Sequence, residues 1–314
     1  MPEIDMFRSH VELPKLLPLT VKNPIKISYS KGQAFKACER KFEYAHIELH
    51  VNDPKKPGLM PKKKAPALAR GSFGHAVMEH AMNELLPQGF PYSQEACVLA
   101  ANNAIVWGMS QPDSNFMPDI MKQIMHFMAN VFPVNGWRIL AVEQEYMLPV
   151  GRDEVSGRDI VYPFTVDLVI EINGLIYIVD YKFAADAYSP ARIDIEPQIP
   201  GYIGAMRALG IPVANGWYVF MRTRKMNNVE EQVVVKPVRP NEVRVKQSFR
   251  EHLITTGKII KAQNDPSWEP TRNAGNNCDY CDFKEICAIE LRGDDASLMK
   301  QIDYLPNDYG YEEL

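Results

Sequence analysis

The sequence predicts an α/β fold, a central mixed β-sheet flanked by helices, on three observations. Five runs rich in β-branched and aromatic residues lie between residues 137 and 236, a composition that suits pleated, half-buried strands. Two of them, "TVDLVIEI" and "LIYIVDYK", are joined by Asn173-Gly174, the dipeptide that a two-residue type I′ turn favours because both central residues take positive φ. Helical periodicity precedes these runs over 71–132, interrupts them in "EPQIPGYIGAMRALG" and follows them over 241–262.

Taken in order, residues 1–25 read as an irregular N-terminal arm. In "ISYSKGQAFKACERKFEYAHI" Ser30 is a candidate cap for a helix with apolar positions at Phe35, Cys38 and Phe42. Residues 51–70 carry Lys55, Lys56, Lys62, Lys63, Lys64 and Arg70 with no acid after Asp53, and read as a mobile loop whose cations are solvated or touch phosphate. Ser72 is a candidate cap for "GSFGHAVMEHAMNELL", which places His75 and Glu79 on one face. A Met-rich helical stretch follows to residue 132. The strands are "RILAVEQEYMLPV", the two arms of the hairpin, "GWYVFMRT" and "EEQVVVKPV". Pro197 lies near the first turn of the intervening helix and Gly210 ends it, with Gln198 and Tyr202 on one face. The helix over 241–262 carries Arg244, Lys246, Arg250, Lys258 and Lys261. The tail over 291–314 is acidic, with Asp294, Asp295, Asp303, Asp308, Glu312 and Glu313, and reads as a solvated end or a docking segment.

Bulk properties narrow the function. A chain of 314 residues, 46% hydrophobic, buries a large core as one elaborated domain or two packed ones. The net charge of -4 excludes a globally basic protein, so nucleic-acid binding must use local patches. Candidates are Arg222, Arg224, Lys225 and the 241–262 helix. The first 25 residues hold no apolar signal core, and no run of 18 apolar residues follows. Secretion and membrane insertion are not expected. Five unevenly spaced cysteines fit a reducing cytoplasm better than a disulfide scaffold.

The hairpin carries the chemistry. If Ile172 pairs with Leu175, counting outward sets Asp167 opposite Asp180, and like charges at that spacing destabilise a sheet unless a cation neutralises them. Lys182, two residues on, projects from the same face as Asp180. An ordinary ion pair on a wet face is the simpler alternative, though Val169, Ile176 and Ile178 make this face mostly apolar.

The order of "GSFGHAVMEHAM", a strand with Asp167, "VDYK" and "QIPGY" resembles the RecB-like branch of the PD-(D/E)XK nuclease superfamily, over roughly residues 26–290. The resemblance implies a restriction-endonuclease-like core, with a helical part over 71–132 and a catalytic sheet over 137–236. It implies Asp167, Asp180 and Lys182 as catalytic residues; His75, Asp167, Asp180 and the Tyr181 carbonyl as ligands of Mg²⁺ or Mn²⁺; and Gln198 and Tyr202 as substrate-binding. Glu79 would orient His75, while Glu143 and Glu145 read as structural or as outer aids to the metal. Two departures from the family pattern are Val166 where a proline usually precedes the first acid, and Asp180 where many relatives use Glu. The implied activity is exonucleolytic hydrolysis of DNA, as single strands or duplex ends, in recombination, repair or replication in a bacterial or phage-infected cell. With no P-loop motif in the sequence, unwinding would fall to a separate helicase or recombination protein. The rival reading is a non-catalytic DNA-binding or scaffold component that keeps the fold.

Cys278, Cys281 and Cys287 are spaced Cys-x2-Cys-x5-Cys, which argues for metal and calls for a fourth ligand, with Cys38 the candidate. The arrangement resembles that of AddB-like nucleases and the iron-sulfur nuclease of CRISPR adaptation, implying a [4Fe-4S] cluster; Zn²⁺ is the alternative that spacing does not exclude. Such a centre would staple the chain across about 240 residues. Cys97 reads as a small buried hydrophobe.

Overall fold

The computed structural model describes residues 23–50, 53–63 and 65–307. Most of the expected N-terminal arm, Lys64, and Asp308, Glu312 and Glu313 of the tail fall outside them. In order, the elements are β1 (Ile25–Lys26), α1 (Tyr29–Ala37), α2 (Glu39–His46), β2 (Leu49–His50), β3 (Asp53–Pro57), β4 (Leu59–Pro61), α3 (Pro66–Leu85), α4 (Gln94–Met109) and α5 (Met117–His126). There follow β5 (Arg138–Arg152), β6 (Asp159–Ile172), β7 (Leu175–Ala184), α6 (Pro190–Ile195), α7 (Gln198–Ala208), β8 (Val213–Arg222) and β9 (Val233–Val238). The chain continues through α8 (Glu242–Asn264), α9 (Lys284–Leu291), α10 (Ser297–Asp303) and β10 (Tyr304–Pro306).

The chain divides into two compact units. In described residues the first comprises 66–146 and 164–249. Its sheet runs β5–β6–β7–β8–β9, with β6/β7 and β8/β9 antiparallel and β7/β8 parallel, so it is mixed as expected. The Asn173-Gly174 turn forms with φ of 51° and 79°, and the register runs from Ile172↔Leu175 to Leu168↔Val179. Alternation then sorts the faces of β7. Val179, Tyr181 and Phe183 join Phe73, Val77 and Met78 of α3 and the buried residues of α4 and α5 in one core. Ile178 and Asp180 face the other way, where α7 lies close over β8. A Cβ at Gly216 would stand 2.6 Å from Ile199 Cγ2 and 3.1 Å from the Ile178 carbonyl oxygen, so glycine is what permits that approach.

The second unit, in described residues, comprises the segments before Pro66, 147–163 and 250–307. Here β1 pairs in parallel with β6 at Ile160 and Val161. Ile27, Phe35 and Phe42 pack on Ile160, Ile259 and Ala262, and a second small core joins Tyr44 and Leu59 to Phe283, Ile286, Ala296 and Tyr304.

Several sequence expectations are corrected. The helix expected through Phe42 is broken at Cys38, whose extended backbone (φ −168°, ψ 118°) separates α1 from α2, and Ser28 rather than Ser30 caps α1 by accepting from the Lys31 amide. Ser72 lies inside α3, which begins at Pro66, a residue suited to a first helical turn. The expected mobile loop over 51–70 contains β3 and β4. Residues 297–306 of the expected solvated tail fold as α10 and β10, and β10 pairs antiparallel with β4, Tyr304 opposite Pro61 and Pro306 opposite Leu59.

Glu290 on α9 ties this unit together. Its carboxylate accepts from Arg40 and Tyr44 on α2 and from Lys300 Nζ on α10 at 2.7 Å. Burial disfavours its charge, but these donors prevail and hold its pKa down at about 2. A depressed carboxylate contributes stability that is complete above its ordinary pKa and is lost as pH falls toward the folded value. Glu290→Gln is therefore expected to cost about 2 kcal/mol at pH 7 and to flatten the loss of stability between pH 5 and 2 that the native protein shows in urea melts, the assay that checks it.

Candidate active site and cysteine site

All of the expected active-site residues lie in the first unit. The hairpin register places Asp167 one step beyond Leu168↔Val179, and there the carboxylate itself enters the ladder: the Tyr181 amide donates to Asp167 Oδ2 at 2.7 Å. That same oxygen lies 3.3 Å from His75 Nδ1, which is 3.6 Å from Glu143 Oε1. Gly74 makes the approach of α3 possible. A Cβ there would sit 2.6 Å from the Phe183 ring, next to the residue that delivers His75.

Asp180, only 6% exposed, belongs to a second set of contacts. Lys182 Nζ stands 2.6 Å from Asp180 Oδ2 and donates to Gln198 Oε1 at 2.9 Å, while Gln198 Nε2 donates to Asp180 Oδ1 at 2.9 Å. Asp180 Oδ2 is buried, and the Lys182 ammonium is its charge partner. Tyr202 is buried, its ring stacked on Phe164 at 5.2 Å and its hydroxyl hydrogen-bonded with Gln198. It thus stands behind the amide of Gln198.

Among the described residues, the one group of three or more His, Cys, Asp or Glu side chains whose ligand atoms all fall within 4.8 Å of one another is His75, Glu143 and Asp167. Glu143 is the residue that sequence reasoning undervalued. Its φ of +43°, inside strand β5, is a left-handed conformation that side-chain-bearing residues seldom adopt. Such kinks re-aim side chains next to active sites. No simple alternation count anticipates that direction. Glu79 is exposed and lines the cavity outside His75 with Ser72 and Glu143, and Glu143 and Asp167 are the carboxylates near the His75 ring nitrogen. Glu145 is exposed. Arg222 and Arg224 are both paired with Asp186, at 2.6 and 3.0 Å, so the expected phosphate guides are engaged within the protein.

Crowding of acids sets the electrostatics. Burial is the main force raising the Asp167 carboxyl to about 7; the His75 charge opposes it, and the Asp180 and Glu143 charges reinforce it. For His75, burial disfavours the imidazolium, yet the charges of Asp167, Glu143 and Asp180 prevail and hold it at about 9. Without a cation the imidazole is therefore protonated at neutral pH, and it must lose that proton to become a ligand. Mn²⁺ binding is expected to release about one proton at pH 8 and more near pH 6, with affinity rising as pH rises. Calorimetry in buffers of different ionisation enthalpy measures this directly, and proton-neutral binding at pH 8 would exclude His75 as a ligand.

The cysteines form a separate site in the second unit. Cys38 at the break between α1 and α2, Cys278 in the short turn Asn276–Tyr280, Cys281 just after it and Cys287 on α9 are all free thiols lining one cavity of about 390 Å³. Cys97 is fully buried in the α4 core, as expected, and burial lifts its thiol to about 11.

Fold and site together define an α/β protein with an acidic centre of metal-ligand spacing built on a mixed sheet. The model of the PD-(D/E)XK nuclease superfamily matches residues 26–288, and the chain belongs to that superfamily. Among solved structures, it is similar to one described as a "putative exonuclease" from Eubacterium rectale, with 15% identity, a TM-score of 0.47, and 83% of this chain and 87% of the other covered. It is also similar to SSO0001, with 12% identity, a TM-score of 0.34, and 68% and 93% covered. No curated protein matches the chain. Among the described residues no helix is long and apolar enough to cross a membrane.

Proposed function

We propose that the protein is a divalent-metal-dependent DNA nuclease that acts as an exonuclease at DNA ends during recombination, repair or replication. The observation that carries this reading is the convergence of His75, Glu143 and Asp167 within metal-ligand spacing on a superfamily nuclease core. Three carboxylates and an imidazole, with the nearly buried Asp180 carboxylate among them, suit Mn²⁺ or Mg²⁺. His75, Glu143, Asp167 and Asp180 would hold the ion, with the Tyr181 carbonyl a further candidate. When bound, such an ion supplies Lewis-acid stabilisation of charge on the phosphoryl oxygens and acidifies water.

The chain's own groups do the rest. Asp167 is held in place by the Tyr181 amide. Lys182 carries a positive charge, which burial opposes and the Asp180 carboxylate reinforces, so it stays protonated. Its ammonium orients the attacking water and offsets negative charge gathering on the phosphate. Gln198 bridges Lys182 and Asp180 and fixes both, and Tyr202 supports Gln198 from behind. The testing experiment is cleavage of 5′- and 3′-labelled single-stranded and duplex DNA with Mg²⁺ or Mn²⁺. Progressive shortening from one end supports the exonuclease reading; no cleavage with either ion refutes the nuclease reading.

For the cysteines we propose a [4Fe-4S] cluster with Cys38, Cys278, Cys281 and Cys287 as ligands. The four thiols line one cavity of about 390 Å³ in the structure, which supports their serving one centre, and Zn²⁺ is the alternative occupant. Anaerobic purification decides it: a brown protein with absorbance near 400 nm supports iron, and a colourless, zinc-loaded protein refutes it. A reducing cytoplasm suits such a centre and the five free thiols.

A further inference from the structure

A second cavity, of about 500 Å³, opens beside the cysteine site within the second unit, and the two share Cys38, Arg272 and Asn273. Its charged lining is Lys36, Lys258 and Arg272 against the single carboxylate of Glu39, in a chain whose net charge is -4. Most of the other polar groups have partners within the protein. Glu39 Oε2 accepts from the Thr271 amide at 2.9 Å and from its hydroxyl at 2.8 Å. Thr255 Oγ1 donates to the Glu251 carbonyl, Asn273 Nδ2 to the Ala37 carbonyl, and Arg272 reaches Glu290 at 3.4 Å. Lys36 and Lys258 are both exposed, and among the described residues no carboxylate lies within ion-pair distance of either.

The cavity therefore offers an incoming ligand two exposed ammonium groups, with the Arg272 guanidinium beside them. Point charges of that kind bind phosphate without reading bases. At the rim of the adjoining cysteine cavity stands Tyr280, 88% exposed, a large aromatic ring turned to solvent. Cations that follow a backbone, joined to an aromatic ring on which a base stacks, are the elements of sequence-independent single-strand binding.

We propose that this face of the second unit is a binding track for single-stranded DNA, in which Lys36 and Lys258 hold successive phosphates and Tyr280 stacks a base. The identity of the ligand rests on the nuclease reading, and the track assigns that enzyme a single-stranded substrate.

The test measures binding of fluorescein-labelled oligothymidine to the full chain by anisotropy, without added divalent ion, across a range of salt. Lys36→Ala/Lys258→Ala is expected to weaken binding about tenfold and to lower the slope of log K against log salt by about 1.4, because each single-strand phosphate contact contributes about 0.7. Tyr280→Ala is expected to weaken binding about tenfold with the salt slope unchanged. Lys36→Arg/Lys258→Arg restores affinity and slope, which separates charge from folding. The proposal is overturned by unchanged affinity in the alanine variants, by an unchanged salt slope in the double lysine variant, by equal losses on blunt duplex, or by inorganic phosphate displacing the oligonucleotide at submillimolar concentration. Hydrolysis of bis(p-nitrophenyl) phosphate with Mn²⁺, a substrate too short to span a multi-nucleotide track, is measured alongside. Its absence in the native protein counts against the nuclease reading alone, and its persistence in all three variants keeps the two failures distinguishable.

Discussion

Asp180→Asn is expected to lower Mn²⁺-dependent DNA cleavage by at least about 10³-fold while leaving the melting temperature close to native. The substitution preserves volume and keeps an acceptor for Gln198 Nε2, but removes the charge that Lys182 and a bound cation both need. A preorganised electrostatic group of this kind is worth about 10²–10³ in rate by itself, and loss of a metal-binding charge adds to it. Lys182→Ala should give a loss of similar size by a different route. The cation could still bind, yet nothing would hold positive charge beside Asp180, and Gln198 Oε1 would lose its 2.9 Å donor. Quenched single-turnover assays on end-labelled DNA, paired with thermal melts, measure both. Native-rate cleavage by either variant would remove these residues from the catalytic assignment.

Gly74→Ala is the second substitution of large expected effect, although it touches no charged group. The added methyl would have to occupy space 2.6–2.7 Å from three carbons of the Phe183 ring, and Phe183 is nearly buried in the core between α3 and β7. Overpacking of this kind costs about 1–3 kcal/mol. The cheapest relief is for α3 to move off the sheet, and this withdraws His75, the next residue, from Asp167. Two readouts are therefore expected to move together: a lower melting temperature and weaker Mn²⁺ binding by calorimetry. Phe183→Leu in the same chain, which makes room for the methyl, should recover part of both.

The parts of this molecule that local chemistry dictates were readable in the residues. Asn173-Gly174 fixes the turn and the turn fixes the register as far as Leu168↔Val179; beyond it the expected facing of Asp167 and Asp180 gives way, Asp167 taking the Tyr181 amide beside His75 while Asp180 joins Lys182 and Gln198. Gln198 and Tyr202, one helical turn apart, likewise come out on one side of α7. What escaped notice depends on contacts between remote segments. Glu143 points into the site because of a kink in its own backbone, which strand alternation does not encode. The lysine-rich segment and the acidic tail each look solvated, yet three residues of one pair with three of the other across more than two hundred positions. Neither carries a periodic apolar face, so nothing local announces the pairing. Arg222 and Arg224 resemble free phosphate contacts until the fold brings Asp186 beneath them.

Because one oxygen of Asp167 substitutes for a rung of the β-ladder by capturing the Tyr181 amide, a proposed metal ligand and a structural joint are the same atom. Chains that refold with the hairpin slipped along itself would look intact by circular dichroism and still be inert. Recovered turnover, rather than recovered ellipticity, is therefore the stricter gauge of successful renaturation for this enzyme.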